Sequence, residues 1–318
     1  MLIRAATRGS ALALWQTRHV AELLAPHGVT VEEVVVSTTG DARLDIPIHA
    51  MGGKGVFVKE VQAAVLAGHA DIAVHSMKDL PSITPDGLTL AAVPVRADAR
   101  DALVGSRLSG LAQGANVATG SVRRRAQLAA LRADLVVSEL RGNITTRLEK
   151  AGQFDAIIMA AAALERLGET PEVVDVLAPE VMLPQVGQGA LAIEARRDHT
   201  EVIELLAHIE DPSSRRLTDA ERAFLAELGG DCDLPAGAYA TPHPDGIRLH
   251  RRNGTGHRRV GGFQIAVGGG SKLTDTAAGQ DHGGVRNGVR NAAHVCSPQR
   301  RAGTAWTGGA GTCSRGAE

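Results

Sequence analysis

Aromatic residues are few in this sequence, which has two Trp, one Tyr and four Phe among its 318 residues. Proteins that bind single-stranded nucleic acid stack the bases on aromatic side chains, and membrane proteins carry Trp and Tyr at both bilayer interfaces. The sequence also contains no run of about 20 apolar residues, the length that a transmembrane helix needs. These absences argue against a nucleic-acid partner and against a membrane protein.

Cysteine is equally scarce, and Cys232 is the single cysteine before residue 296. The main part of the chain therefore has neither a disulfide framework nor a thiolate metal site. His69 and His75 have no partners at ligand spacing, so we expect no metal. The first five residues lack the basic and apolar regions of a secretory signal, and we expect a cytoplasmic protein.

Charge divides the chain into two unlike parts. Residues 1–250 carry 24 Lys and Arg against 32 Asp and Glu, whereas residues 251–318 carry 10 against 3. The acidic main part again disfavours nucleic acid as the principal partner. Residues 251–318 contain 16 Gly and, apart from one strand predicted at 260–267, no regular pattern. We expect this tail to be largely disordered, because it buries too little apolar surface to offset the entropy of ordering.

Before residue 250, apolar runs of strand length alternate with helical patterns, as in α/β proteins. The predicted strands are 31–36, 72–76, 88–93, 135–140, 156–159, 190–194, 237–241 and 247–250. The predicted helices are 11–24, 56–66, 122–131, 145–150, 161–167, 201–209 and 214–228. Functional residues of open α/β sheets tend to lie where strands end. Polar segments follow the strand 72–76 at 77–81, the short run 117–119 at 120–125, and the strand 135–140 at 141–143.

Arg123 and Arg124 stand in an unfavourable place, because cations near a helix N-terminus oppose the helix dipole by roughly 0.3–1 kcal/mol each. They follow a Gly120-Ser121 turn whose N–H groups can hold an anion. A bound carboxylate or phosphate explains both features. A solvated basic turn explains them equally well from this segment alone.

Six segments, read in order along the chain, resemble those of the porphobilinogen deaminase family. They are residues 4–13 (RAATRGSALA), 51–60 (MGGKGVFVKE), 71–81 (DIAVHSMKDLP), 140–143 (LRGN), 183–190 (LPQVGQGA) and 229–237 (GGDCDLPAG). The resemblance runs from Arg4 to about Leu249. One such segment is a weak signal, whereas six in the order of the family are highly specific.

The resemblance implies an α/β fold with two lobes, built like type II periplasmic solute-binding proteins, that face each other across a cleft. Domain 1 would take residues 1–95 and 190–209, and domain 2 residues 96–189. The hinge would lie near Pro94 and near Gly187–Gly189. A small α+β third domain, residues 210–250, would carry a cysteine loop, and it would be incomplete because the tail 251–318 does not resemble the family.

The resemblance also implies a reaction, that of hydroxymethylbilane synthase. This transferase joins four porphobilinogen units head to tail on a covalent dipyrromethane primer, expels ammonia from each, and releases the linear tetrapyrrole by hydrolysis. Asp79 matches the catalytic carboxylate, although by itself it reads more readily as a helix cap before Leu80-Pro81. Cys232 matches the residue that carries the primer through a thioether, although Asp231 departs from the Gly-Gly-Cys order of the family.

Further positions match binding residues of the family, and arginine forks suit carboxylates such as the acetate and propionate arms of pyrroles. The cofactor-binding set is Lys78, Ser76, Ser121, Arg123, Arg124 and Gly142. The substrate-binding set is Arg8, Ser10, Arg141, Arg147, Arg166 and Gln188. A segment that resembles the mobile loop over the cleft supplies Gly53, Lys54, Gly55, Phe57 and Lys59. Each cation could instead form a surface ion pair, worth about 0–1 kcal/mol to stability.

The resemblance further implies a monomer with porphobilinogen as its substrate and hand-over of the product to uroporphyrinogen-III synthase. Three alternatives stay open. A two-lobed solute-binding protein would share the architecture, but it predicts a signal peptide and gives no reason for Cys232. A nucleotide-dependent transferase would need a phosphate loop, and the Gly-Lys-Ser/Thr ending is absent at 53–55. A reading-frame change that created the tail would leave the same lobes with little or no activity.

Overall fold

The computed structural model describes residues 1–38, 57–229, 234–252, 258–264 and 274–276. The chain separates into two compact units, residues 1–278 and 279–318, and the second unit lies outside the described residues. No helix in the described ranges has both the length and the apolar character needed to cross a bilayer.

The strands of the described residues lie in three sheets. They are β1 (Leu2–Arg8), β2 (Thr30–Val36), β3 (Ile72–Ser76), β4 (Leu88–Ala92), β5 (Asp101–Val104), β6 (Asn116–Ala118), β7 (Val136–Ser138), β8 (Ala156–Ala160), β9 (Val174–Leu177), β10 (Leu191–Arg196), β11 (Gly237–His243), β12 (Gly246–Arg252), β13 (Arg258–Gln264) and β14 (Thr274–Thr276). The α-helices are α1 (Ala11–Leu24), α2 (Lys59–Leu66), α3 (Val122–Leu131), α4 (Ile144–Glu149), α5 (Ala161–Leu167), α6 (Thr200–Leu206) and α7 (Pro212–Glu227).

Two five-stranded sheets have the same arrangement. The first has the order β2-β1-β3-β10-β4, with β1 parallel to β2 and β3 and with β10 antiparallel to β3 and β4. The second has the order β7-β6-β8-β5-β9, with β6 parallel to β7 and β8 and with β5 antiparallel to β8 and β9. The chain leaves the first sheet after β4, builds the second, and returns as β10. This exchange confirms the predicted pair of α/β lobes.

Each lobe has its own buried core. Ile3, Ile72 and Ile193 of the first sheet pack with Leu24 of α1. In the second lobe, Leu103, Val117 and Ile158 pack with Leu128 of α3. The apolar faces of the helices therefore cover the sheets, as the alternation of strand and helix patterns requires.

A third, antiparallel sheet has the order β11-β12-β13-β14. Phe224 and Leu225 of α7 pack against Ala238, Ile247 and Leu249 of this sheet, so the third domain has the α+β character that the resemblance implied. The strand predicted at 260–267 corresponds to β13, and β14 was not predicted. The disorder predicted for the rest of the tail concerns residues outside the described ranges and stays a prediction.

The predicted elements agree closely with the observed helices α1, α3 and α5. Ser10 and Ser121 begin α1 and α3, where their hydroxyls accept hydrogen bonds from the backbone N–H groups of Ala13 and Arg124. Strands β1, β5 and β9 were not predicted, and β6 corresponds to the short run 117–119 before the Gly120-Ser121 turn. Strand β5 escapes a search for apolar runs because it is four residues long and begins with Asp101, a charged residue that is fully buried.

Candidate active site

Asp79 lies at an edge of the first sheet where two parallel strands end together. Strands β1 and β3 pair in parallel, so Arg8 and Ser76 finish at the same edge. Asp79 is the last residue of a single 3-10 turn, Met77–Asp79, directly after β3. It is thus not the N-terminal cap of that turn, and its carboxylate is placed at the edge where α/β proteins bind ligands.

The turn is fixed on both sides. The backbone N–H of Met77 donates to the carbonyl of Ala190 at 3.0 Å, and that of Leu80 donates to Met77 at 3.0 Å. The Ser76 hydroxyl accepts a hydrogen bond from the side chain of Gln16 at 2.8 Å. The predicted cofactor-binding Ser76 therefore also ties α1 to the residues that lead into Asp79.

Lys78 lies close to other cations at this edge of the sheet. Burial lowers its pKa to about 8, and the charges of Arg124 and Arg147 contribute in the same direction. Asp79 and Asp101 oppose this shift without cancelling it. The ammonium group lies 3.4 Å from the Gln188 side-chain oxygen. The site therefore holds more positive charge than its own carboxylates balance.

Arg147, in the second lobe, likewise lies close to other cations. The pKa of Arg147 is lowered to about 10, chiefly by burial and then by the charges of Arg124 and Arg141, whereas Asp79 and Glu139 act against this shift. Its guanidinium donates to the carbonyl of Gly142 at 2.8 Å. Two sequence-predicted substrate residues, Arg141 and Arg147, are thus electrostatically close to each other, and Arg147 is also close to Asp79.

Arg123 and Arg124 have a buried internal partner that the sequence did not reveal. Arg124 donates twice to Oδ1 of Asp101, at 3.0 and 2.7 Å, and Nη2 of Arg123 lies 2.8 Å from Oδ2 of the same carboxylate. Arg123 is 2% exposed, Arg124 5% and Asp101 0%. The alternative of a solvated basic turn is wrong. The anion demanded by two cations at the start of α3 is supplied by Asp101.

Asp101 remains ionised in this setting. Burial by itself would raise the pKa of Asp101, but the two guanidiniums and Gln188 hold it below its ordinary value. Gln188 donates to Asp101 at 2.8 Å and to the carbonyl of Ala99 at 2.7 Å, and it is fully buried. Its amide oxygen faces Lys78 and Arg124, each at 3.4 Å. Gln188, predicted to bind substrate, thus connects Asp101 to Lys78.

Arg8 and Ser10 lie where β1 passes into α1. The Arg8 guanidinium lies over the ring of Phe57, 4.2 Å from its centroid, so the structure brings these two predicted residues together. Lys59 is exposed at the start of α2. The predicted loop residues Gly53, Lys54 and Gly55, and the predicted anchor Cys232, lie outside the described residues.

Arg166 joins the two lobes. It donates to the carbonyl of Gly189 at 2.6 Å, and its guanidinium lies 5.7 Å from the ring centroid of Trp15 in α1. Burial lowers its pKa to about 10. Arg166, a predicted substrate residue in α5 of the second lobe, therefore contacts both the segment that leads from β9 back to β10 and helix α1 of the first lobe.

Gly142 and Ser121, both predicted to bind the cofactor, shape the backbone of the site. Gly142 has φ of +119°, and a Cβ atom there would lie 2.8 Å from the Thr146 side chain, so the position requires glycine. The Ser121 hydroxyl is used as the cap of α3.

The sequence did not point to three charged residues of this region, which are Asp101, Arg96 and Glu221. A charge at the start of a short apolar run was the one local feature that could have drawn attention to Asp101.

Known proteins similar to this chain point in one direction. Residues 3–204 match the family model described as porphobilinogen deaminase, dipyromethane cofactor binding domain. Porphobilinogen deaminase of Roseiflexus sp. (strain RS-1) is 50% identical over 259 residues, which cover 79% of this chain and 85% of the relative. The porphobilinogen deaminase of Nitratidesulfovibrio vulgaris (strain DSM 19637 / Miyazaki F) is 50% identical over 248 residues, 76% of this chain and 78% of the relative.

Two solved structures are similar at lower identity. The periplasmic VFT2 domain of BvgS from Bordetella pertussis is 16% identical with a TM-score of 0.40, over 71% of this chain and 92% of that one. An ancestral cationic amino acid solute binding protein is 13% identical with a TM-score of 0.42, over 72% of this chain and 91% of that one.

Proposed function

The chain belongs to the porphobilinogen deaminase family, and we propose that Asp79 is its catalytic carboxylate and Cys232 the anchor of its primer. The protein is a hydroxymethylbilane synthase, a transferase of tetrapyrrole biosynthesis that uses a dipyrromethane cofactor. It condenses four porphobilinogen units head to tail. In each condensation the C–N bond of the aminomethyl group breaks and its nitrogen leaves as ammonia. A C–C bond then forms between that carbon and the free α-carbon of the terminal pyrrole.

The observation that carries the site assignment is the excess of positive charge around Asp79. The lowered pKa values of Lys78 and Arg147 arise from burial and from neighbouring cations, and a bound carboxylate relieves both costs. A dipyrromethane carries several carboxylates, so the residues present fit that group. When bound, it supplies the pyrrole carbon that receives the next porphobilinogen.

Asp79 has two tasks in this proposal. Its carboxylate stands among the cations and can face a positive charge that develops on porphobilinogen as the amine leaves. It can also hold the proton that the departing amine requires. Arg8, Lys78, Arg141 and Arg147 bind carboxylates of substrate and cofactor.

The remaining predicted residues act through their neighbours. Arg123, Arg124 and Gln188 hold Asp101 and Lys78 in place, and Arg166 joins the lobes. Ser10, Ser76, Ser121 and Gly142 set the backbone from which the binding groups extend. Phe57 supports Arg8, and Gly53, Lys54 and Gly55 belong to the proposed loop over the cleft. Lys59, which the sequence assigned to that loop, is instead the first residue of helix α2.

We also propose the division into domains at 1–95 with 190–209, 96–189, and from 210 onward. The two crossovers between the first and second sheets support it, because they fall between β4 and β5 and between β9 and β10. A cytoplasmic monomer that passes its product to uroporphyrinogen-III synthase completes the proposal, with membership of the family as its support.

The test is the intact mass and the turnover of the purified full chain. We expect a mass above that of the sequence by one dipyrromethane, a positive colour with Ehrlich's reagent, and consumption of porphobilinogen. Cys232→Ser should lose the added mass and nearly all turnover, whereas the matched control Cys313→Ser should keep both. An unmodified wild-type chain with full turnover would refute the role of Cys232, and an unmodified, inactive chain would support the reading-frame alternative.

A further inference from the structure

A small pocket lies where three parts of the chain meet. Lys78 of the Asp79 turn, Arg123 of α3 and Arg222 of α7 line it together. Its volume is about 10 Å³, room for about one water-sized group. The pocket can therefore receive a single oxygen of a ligand side chain and not a pyrrole ring.

The charge of the lining is entirely positive. Lys78, Arg123 and Arg222 are its charged residues, and no carboxylate is among the residues that line it. Arg123 is already paired with Asp101. The lining therefore favours an anionic oxygen, and a carboxylate oxygen has the size and the charge that fit it.

Arg222 is the cation that the third domain contributes. It is 9% exposed, and its Nη2 donates to the carbonyl of Ser82 at 3.1 Å. Ser82 follows Asp79 by three positions, so this bond ties α7 to the segment that holds the catalytic carboxylate. The guanidinium is thus held at the border between the first lobe and the third domain.

The third domain lines the pocket on both sides of the primer anchor in the sequence. Leu225 belongs to α7, before Cys232, while Leu234 and Ala236 follow Cys232 by two and four positions. The pocket is therefore lined by the segments that lead toward and away from the anchor. A primer attached at Cys232 would therefore carry its carboxylates on a residue only two positions along the chain from Leu234 in the lining.

We propose that Arg222 binds a carboxylate of the dipyrromethane and so positions the primer, as the third cation of this pocket. The inference rests on the proposed function, because it takes the primer to be held through Cys232. Lys78 and Arg123 reach the pocket from the two lobes, whereas Arg222 comes from the helix that leads into the cysteine loop. The primer is then held by the same domain at its thioether and at one carboxylate.

The test is a double-mutant cycle that combines Arg222→Gln with Cys232→Ser. Arg222→Gln should lower the primed fraction, read from intact mass, by about fivefold or more, because a charge-assisted bond to the primer is lost. It should also lower the Tm of the primed protein by at least about twice as much as in the Cys232→Ser background, since a group that serves the primer matters only when the primer is there. Arg222→Lys should restore at least about half of the primed fraction, because it keeps the charge.

Arg216→Gln is the matched control, since Arg216 is an exposed arginine of the same helix. It should leave the primed fraction and the Tm unchanged. Equal Tm losses with and without Cys232, or an unchanged primed fraction in Arg222→Gln, would overturn the inference and make Arg222 a purely structural residue. A wild type that carries no primer would instead refute the proposed function, so the two failures are distinguishable.

Discussion

Arg96 donates a hydrogen bond from each of its two terminal guanidinium nitrogens to the carboxylate of Glu221, at 2.8 and 3.0 Å. Glu221 is fully buried and also accepts hydrogen bonds from the backbone N–H groups of Gly187 and Ala240, at 2.8 and 2.9 Å. Arg96 lies in the first crossover between the lobes, Gly187 in the second, and Ala240 in β11. One carboxylate therefore joins both crossovers to the third domain.

Glu221→Gln should destabilise the protein strongly. It leaves the guanidinium of Arg96 without a countercharge, and breaking one half of a buried pair costs about 3–5 kcal/mol. Chemical unfolding measures this loss. Glu227→Gln, an exposed position of the same helix, is the control and should change little, while a loss below about 1 kcal/mol for Glu221→Gln would show that the pair does not hold the crossovers.

Asp79→Asn should keep the fold and lose the reaction. We expect turnover of porphobilinogen to fall by at least about a hundredfold, the scale of lost acid–base assistance. Steady-state kinetics on primed protein and a thermal melt measure the two properties. Asp86→Asn, at an exposed position of the following loop, should stay near wild type, and an Asp79→Asn enzyme within a few-fold of wild type would remove Asp79 from the chemistry.

The proton of Lys78 should set an alkaline limit on attachment of the primer. Its pKa is lowered to about 8, chiefly by burial and then by Arg124, so above about pH 8 it loses the charge that binds a carboxylate. In protein that does not yet carry a primer, we expect the rate of priming, read from intact mass, to fall as the pH rises through this value. Lys78→Arg should move the fall to higher pH. An identical alkaline limb in Lys78→Gln would assign the titration to another group.

The same group affects stability in a defined direction. Because the folded pKa of about 8 lies below the ordinary 10.5, the unfolded chain binds more protons between these values. The contribution of Lys78 to stability therefore rises with pH across that window. Unfolding free energies of wild type and Lys78→Met, compared from pH 8 to pH 10.5, should converge as the pH increases. Divergence would contradict a lowered pKa.

Asp101→Asn should damage both stability and activity. It leaves Arg123 and Arg124 buried without their carboxylate, a change expected to cost about 3–5 kcal/mol, and it removes the partner that orients Gln188 toward Lys78. Chemical unfolding and turnover measure the two effects. Asp134→Asn, which breaks an exposed pair with Arg132, is the control and should leave both near wild type.

The sequence by itself determined the two α/β lobes and the family, and it predicts which residues react. Alternating apolar runs and helical periods are local properties, so α1, α3 and α5 could be predicted with their exact limits. The six motifs, read in order, placed Asp79 and Cys232 in a known chemistry, and the family comparisons confirm that family. Short strands such as β5 and β9 were missed because three or four residues carry too little periodic signal.

Only the tertiary structure decided which charges meet. Arg124 and Asp101 stand 23 positions apart in the sequence, and Arg96 and Glu221 stand 125 apart. A sequence pattern records the character of neighbours along the chain, whereas the burial of a charge depends on a partner that folding brings from a distance. For this reason the segment around Arg123 and Arg124 fits either an anion clamp or a solvated turn in the sequence, whereas in the folded chain both are buried counterions of Asp101.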